Sequence, residues 1–236
     1  MRMPVKLRQS LRALPLICLF SPAAHAQLSG SAGILSNYMY RGVSLSADKP
    51  AARLALNYDA ASGWYAGGQV VSGQLGVESH RYAQWLGYAG YAQRLSSGLS
   101  WEVGGTAYAY SGTPSWNFRE LYVGLAGEKL SVRLHYAPDY LGFGERTLYA
   151  EANGGTPLMQ RLNFFWHAGY LYSRDNALTS RPEARVGLAA SSNGWQAQLS
   201  LDMVRLRSVS SGYYGEASES RSKVRHEVVL ALARSF

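Results

Sequence analysis

Cysteine is almost absent from the sequence. Cys18 is the only one among 236 residues, and it lies in an N-terminal segment that we expect to be removed. The remaining chain then has no thiol, so it forms no disulfide even in an oxidising compartment. This excludes a secreted scaffold that depends on disulfides.

Long apolar runs are absent as well. After Phe20 no stretch has the length and apolarity of a transmembrane helix, and the run Ala13–Phe20 is too short to be one. A small-residue cleavage pattern, Ala24-His25-Ala26, follows that run. The run is preceded by four basic residues: Arg2, Lys6, Arg8 and Arg12. We predict a signal peptide at residues 1–26 and an exported domain at residues 27–236.

The net charge is also small. The formal charge of the whole chain is +8, but the four basic residues of the predicted signal peptide account for half of it, leaving about +4. No basic cluster comparable to a DNA-binding face remains. The sequence therefore predicts no nucleic-acid partner.

Familiar catalytic and ligand-binding motifs are missing. The chain contains no G-x-S-x-G, H-E-x-x-H, G-x-G-x-x-G or P-loop pattern. No metal-ligand spacing appears. The histidines beyond the signal peptide are scattered singly: His80, His135, His167 and His226. We therefore predict no catalytic residues, no metal and no cofactor.

Alternation of apolar and polar residues is abundant. In the segment 195–204, Trp195, Leu199 and Leu201 share one face, while Gln196 and Asp202 share the other. This period of two is typical of a β-strand with one apolar face. Helix-period apolar stripes are hard to find, so the chain is predicted to be all-β.

Twelve candidate strands follow from this pattern, although ten or fourteen remain alternatives. Short turns after the even strands alternate with longer polar loops after the odd ones, as in bacterial outer-membrane barrels. The predicted strands are Leu28–Arg41, Ala51–Asp59, Trp64–Ser72, Tyr82–Gln93, Leu99–Tyr110, Phe118–Ala126, Leu130–Tyr136, Thr147–Asn153, Leu158–Tyr172, Glu183–Ala190, Trp195–Val204 and Val224–Phe236.

The pattern favours a transmembrane antiparallel β-barrel with short periplasmic turns and longer extracellular loops. Trp64, Trp101 and Trp195 each stand just after a short turn, which predicts an aromatic girdle at one membrane interface. The alternative is a soluble β-sandwich or a lipocalin-like barrel, because alternation alone does not separate them.

In a membrane barrel the polar face of each strand lines the lumen. Opposed charges there either bias the passage of ions or pair with one another and plug the barrel. Twelve strands lie between the eight of filled barrels and the roughly 16–18 of wide channels. The predicted lumen-lining residues are Arg53, Glu102, Tyr108, Glu120, Tyr122, Arg133, His135, Glu151, Arg185, Asp202, Arg225 and Glu227.

The last strand ends on a large apolar ring. A C-terminal strand of alternating apolar residues that ends in Phe236 resembles the assembly signal of bacterial outer-membrane proteins. The resemblance implies that the barrel-assembly machinery reads this strand and that its apolar side chains contact outer-membrane lipid. Those side chains are Val228, Leu230, Leu232 and Phe236. Arg234 departs from the usual pattern, but its side chain is long enough to reach the headgroups.

The segment 31–68 resembles the opening of the TorF-type porin family, a group earlier named for a Gly-Cys-Trp signature. The matching motifs are Ser36-Asn37-Tyr38, Arg41-Gly42, Lys49-Pro50-Ala51 and Gly63-Trp64-Tyr65-Ala66-Gly67, with weaker ones at 120–124, 136–140 and 148–151. The segment 205–223 departs from the family. The resemblance implies an outer-membrane porin for small solutes or ions, and it supplies no catalytic residues. Two alternatives stay open: a lipid-modifying outer-membrane enzyme, and a non-conducting surface barrel that uses the loop around Tyr213 and Tyr214.

Overall fold

The computed structural model describes residues 27–75, 80–174, 180–208 and 221–236. The predicted signal peptide at residues 1–26 lies outside the described residues. So do the loop segments 76–79, 175–179 and 209–220, and with them Tyr213 and Tyr214.

Twelve long strands form one closed antiparallel barrel, which confirms the predicted class and strand number. The short strands β2 and β3 pair only with each other and form a separate two-stranded sheet. The strands are β1 (Gln27–Leu35), β2 (Met39–Tyr40), β3 (Val43–Ser44), β4 (Ala51–Asp59), β5 (Trp64–Leu75), β6 (His80–Arg94), β7 (Ser100–Tyr110), β8 (Phe118–Ala126), β9 (Leu130–Ala137), β10 (Thr147–Met159), β11 (Leu162–Ser173), β12 (Arg181–Ser192), β13 (Trp195–Ser208) and β14 (Arg221–Ser235). Two short 3₁₀ helices, Pro114–Trp116 and Tyr140–Gly142, lie in loops.

The barrel closes where the first strand meets the last. β1 pairs with β4 on one side and with β14 on the other, so neither is left with a free edge. At the seam the backbone N–H groups of Gly30 and Phe236 each donate to the other's carbonyl at 3.0 Å. The chain end is therefore part of the sheet, and all twelve barrel strands have two neighbours.

The prediction for the first strand was wrong at its end. β1 stops at Leu35, and the chain leaves the wall instead of continuing to Arg41. Arg41 and Gly42 have positive φ angles of 47° and 76°, which turn the chain between β2 and β3. Such φ values are incompatible with an extended strand and favour glycine, so residues 36–50 form a separate structure.

The predicted break between the strands Thr147–Asn153 and Leu158–Tyr172 was also wrong, because Gly154–Pro157 lie inside β10. The turn comes later, at Gln160 and Arg161. Gly154 is needed in the strand because the ring of Trp166 on β11 occupies the space that a side chain would fill. Pro157 is tolerated because the pairing of β10 with β9 ends at Gly154, so the missing N–H costs no bond on that side.

Large apolar side chains cover the outside of the barrel. Leu121 is 67% exposed and Val228 is 60% exposed, and many others share this orientation. A soluble sandwich or lipocalin-like barrel would not present so large an apolar surface to water, so this outer face contradicts the soluble alternative. No helix in the described part of the chain is long and apolar enough to span a membrane.

Aromatic side chains gather near the short-turn end of the barrel. Trp64 and Trp195 begin β5 and β13, and Trp101 is the second residue of β7. Tyr91 links two of them, with ring centroids 5.3 Å from Trp64 and 5.8 Å from Trp101. The guanidinium of Arg234 lies 5.5 Å from the centre of the Trp195 ring. The interfacial girdle itself stays a prediction, and this clustering is the arrangement it requires.

The orientation of β13 yields a stability prediction. Leu199 points outward between Leu188 and Leu230, which are both exposed. A Leu199→Arg substitution should place a charge in lipid and lower the free energy of unfolding by about 2–4 kcal/mol. Urea titration of the protein folded into lipid vesicles measures this. The control is Gln198→Arg on the inner face of the same strand, and equal losses in both variants would contradict the assignment of faces.

Candidate functional site in the barrel lumen

The inner face of the barrel is polar and charged, and it surrounds a central cavity of about 320 Å³. The predicted lumen-lining residues fall into three groups. One group lines the cavity itself, a second consists of three buried carboxylates on the same inner face, and a third consists of two residues on β14. The residues of the prediction that line the cavity itself are Arg53, Tyr108, Tyr122, Arg133, His135, Glu151 and Arg185. The buried carboxylates are Glu102, Glu120 and Asp202, and the β14 residues are Arg225 and Glu227.

Residues 36–50 fold back into the barrel from the long-loop end, and we call this segment the inward loop. Asn37, Tyr38, Arg41, Ser44 and Ser46 are buried within it. The side chains of residues 37–41 form part of the cavity wall. The loop therefore narrows the lumen.

An ion pair anchors the tip of the inward loop to the wall. Arg41 donates two hydrogen bonds to Glu120 on β8, at 2.7 and 2.8 Å. The guanidinium also lies 4.0 Å from the centre of the Tyr149 ring, and Arg181 on β12 donates to the Arg41 carbonyl. Such a two-pronged, charge-assisted contact fixes orientation as well as position.

A polar network holds the rest of the loop in shape. The Asn37 side chain accepts from the hydroxyls of Ser44 and Ser46 and donates to Asp48 at 2.9 Å. Asp48 in turn accepts a hydrogen bond of 2.5 Å from Arg225 on β14. Burial alone raises the pKa of Asp48, but the hydrogen bonds from Arg225 and Asn37 outweigh it and hold that pKa below its ordinary value. Asp48 therefore links the inward loop to β14 in its ionised, carboxylate form.

Aromatic side chains pack around the loop. The Tyr38 hydroxyl donates to Gln84 at 2.6 Å, and the Tyr82 hydroxyl donates to the Leu45 carbonyl. Burial raises the pKa of Tyr38 to about 12, so its phenol is neutral. Tyr108 stacks on Phe118 with ring centroids 4.2 Å apart. These contacts fill much of the lumen on the side of the long loops.

Most charges on the wall are paired across strands. Arg133 donates to Glu102 at 2.6 and 3.1 Å, and Tyr65 donates to the same carboxylate. Arg185 donates to Asp202 at 2.5 Å. Each pair joins residues that face one another inside the barrel, and buried charges are normally compensated in this way.

A second group lies on β9 to β12. The two ring nitrogens of His135 are each 3.5 Å from a carboxylate, one of Glu120 and one of Glu151. The Tyr149 hydroxyl donates to Glu183 at 2.5 Å and lies 3.1 Å from His167. The described residues contain no cluster of three or more acidic, histidine or cysteine side chains arranged to hold a metal.

Sequence reasoning missed several cavity residues. Arg41 and Tyr38 were assigned to a wall strand, and nothing in the alternation predicts that the chain turns inward there. Glu183 and His167 were accessible to the same reasoning, since Glu183 stands two residues before Arg185 and shares its face. His167 faces Arg185 in the register of β11 and β12.

Residues 20–236 match the family described as "Bacterial protein of unknown function (Gcw_chp)". The chain belongs to this family. No curated protein matches the chain.

Three solved structures of similar fold are porins. The structure titled "KdgM porin" has a TM-score of 0.56 and 17% identity over 88% of this chain and 99% of that chain. The structure of the same porin "in complex with disordered oligogalacturonate" has a TM-score of 0.53 and 15% identity over 89% of this chain and 98% of that chain. A NanC porin structure has a TM-score of 0.51 and 15% identity over 88% of this chain and 99% of that chain. At these identities the likeness shows the fold alone, a closed β-barrel.

The anchor of the inward loop yields a prediction. Glu120→Gln removes the charge that compensates Arg41, and an uncompensated buried charge costs about 3–5 kcal/mol. We expect residues 37–46 to exchange amide hydrogens at least about tenfold faster as the loop undocks. Hydrogen–deuterium exchange with mass spectrometry, in detergent micelles, measures this.

The matched control is Glu102→Gln, which neutralises the equivalent two-pronged pair with Arg133 but joins only wall strands. It should leave the exchange of the inward loop unchanged. Equal acceleration in both variants would show that the loop is not anchored by Glu120.

Asp48 yields a pH prediction. Because docking lowers its pKa, the stabilisation it gives is complete above the ordinary value of 3.8 and is lost as the pH falls through the lowered pKa. We expect Asp48→Asn at neutral pH to lower the amide protection factors of residues 43–50. Wild type should show the same loss of protection in acid, once the slower intrinsic exchange at low pH is divided out. Glu128→Gln, in an exposed turn, is the control. An unchanged loop in Asp48→Asn would contradict the role of the carboxylate.

Proposed function

We propose that this protein is an outer-membrane porin of the TorF type that lets small polar solutes cross, with the inward loop as its constriction. The observation that carries this is a charged cavity enclosed by a barrel whose outside is apolar. A polar interior and an apolar exterior are what a solute pathway through a bilayer requires. The fold shared with KdgM and NanC porins supports it.

The outer face supports a place in the outer membrane. Barrels cross a bilayer because closure pairs their backbone groups without water. The last residue, Phe236, is 70% exposed and takes part in the closing seam. This fits the proposal that the barrel-assembly machinery recognises the C-terminal strand and that lipid surrounds the finished barrel.

The dimensions of the lumen support selective passage of small solutes. The cavity of about 320 Å³ lies beside the inward loop, and charged and polar side chains line it together with tyrosines. Tyr38 and Arg41 project into it from the loop rather than from the wall. Solutes are therefore expected to pass this loop, so its position sets the width of the route.

A second candidate is a closed barrel that acts through its surface. It is favoured by the packing of Tyr82, Tyr108, Phe118 and Tyr140 with the inward loop into one buried cluster. Such packing resembles a plug. The two candidates differ in whether the resting protein conducts.

Planar-bilayer recordings test the porin proposal. We expect the protein purified from outer membranes to give single-channel steps. Replacing residues 38–47 by a four-residue Gly-Ser linker should raise the unit conductance several-fold, because the loop occupies part of the lumen. The control is an equivalent linker in place of residues 112–115, a mostly exposed stretch between β7 and β8.

Each outcome separates the candidates. Absence of steps in both the wild type and the loop-shortened protein would overturn the porin proposal. Steps in the loop-shortened protein alone would favour the closed surface barrel. Turnover of phospholipid or lipid A by the same preparation, measured by mass spectrometry, would favour the lipid-modifying enzyme instead.

A further inference from the structure

Arg53 on β4 is a cavity-lining cation without an acidic partner among the described residues. The other arginines that line the cavity each have one: Arg41 with Glu120, Arg133 with Glu102 and Arg185 with Asp202. A half-buried charge without a counter-charge is costly unless water or an ion compensates it.

A second arginine faces the same space. Arg185 on β12 also lines the cavity, and it is close enough to Arg53 for the two charges to repel each other. Its side chain is 34% exposed even though one nitrogen is bonded to Asp202. The neutral Tyr38 phenol lies near both guanidiniums. Repulsion between the two cations falls when an anion lies between them.

Neutral polar groups complete this part of the wall. Asn57 on β4 and Gln69 on β5 share the cavity with Arg53, and Gln198 and Ser200 on β13 stand beside Arg185. Acidic groups also line the cavity, but they already have partners. Glu183 accepts from Tyr149, and Glu151 lies 3.5 Å from His135.

We propose that Arg53 and Arg185 form a binding site for a small oxyanion, the carboxylate or phosphate group of a solute, in the cavity beside Tyr38. The planar guanidinium matches such groups in a two-pronged geometry. The cavity volume, about 320 Å³, is at the lower end of ligand pockets. This proposal rests on the proposed porin function, because the site lies on the solute route. Its positive charge makes that route select anions.

Direct binding is the first test. Isothermal titration calorimetry of the purified protein in detergent uses inorganic phosphate and acetate as separate probes. We expect Arg53→Gln to weaken binding of the better probe by about tenfold, because a charge-assisted contact is lost. Arg53→Lys keeps the charge and should lose less. Arg119→Gln, which removes an exposed positive charge on β8, should change nothing.

The two probes and the variants separate the outcomes. Tighter binding of phosphate supports a phosphate-bearing solute, and tighter binding of acetate supports a carboxylate. Absence of binding by wild type, or equal binding by wild type and Arg53→Gln, would overturn the site.

Ion selectivity is the second test. Reversal potentials in a KCl gradient should show preference for chloride in wild type and in Arg119→Gln, and a preference reduced at least about threefold in Arg53→Gln. Unchanged selectivity in Arg53→Gln would overturn the site's place on the route. If no variant conducts, the porin function fails, while phosphate or acetate binding that depends on Arg53 still supports the anion site.

Discussion

Pairing of the first strand with the last is the constraint on which this structure depends. Backbone groups in hydrocarbon have no water to bond, so a spanning sheet must close. Contacts between β1 and β14, ending at Gly30 and Phe236, complete that closure. Once the sheet is closed, alternate side chains face lipid or lumen, and the charged residues collect inside.

Closure also leaves a lumen that the inward loop partly fills. A twelve-stranded barrel is wider than one filled by its own wall side chains. The chain uses residues 36–50 to occupy part of the space, anchored by Arg41 and Asp48 at two well-separated points of the wall. The remaining cavity combines paired charges with Arg53, which has no acidic partner in the described part of the chain.

Much of the fold was predictable because strand alternation is a local signal. Leu199 and Asp202 point to opposite faces for a reason visible in ten residues of sequence, and the strand number followed from the spacing of turns. Predictions failed where a local signal has two meanings. Gly154-Gly155 is a typical turn dipeptide, but here the Trp166 ring lies over Gly154. The pattern around Tyr38 reads as a strand, yet it turns inward.

By itself the sequence determined which side chains face in and which face out, because side-chain direction in a strand has a period of two. It also determined where the tryptophans lie along their strands and that the C-terminal strand belongs to the sheet. Only the tertiary structure decided which inward charges meet. Arg41 and Glu120 are 79 residues apart in sequence, and Arg225 and Asp48 are 177 apart. Their contacts depend on barrel curvature and strand stagger, which no local pattern records.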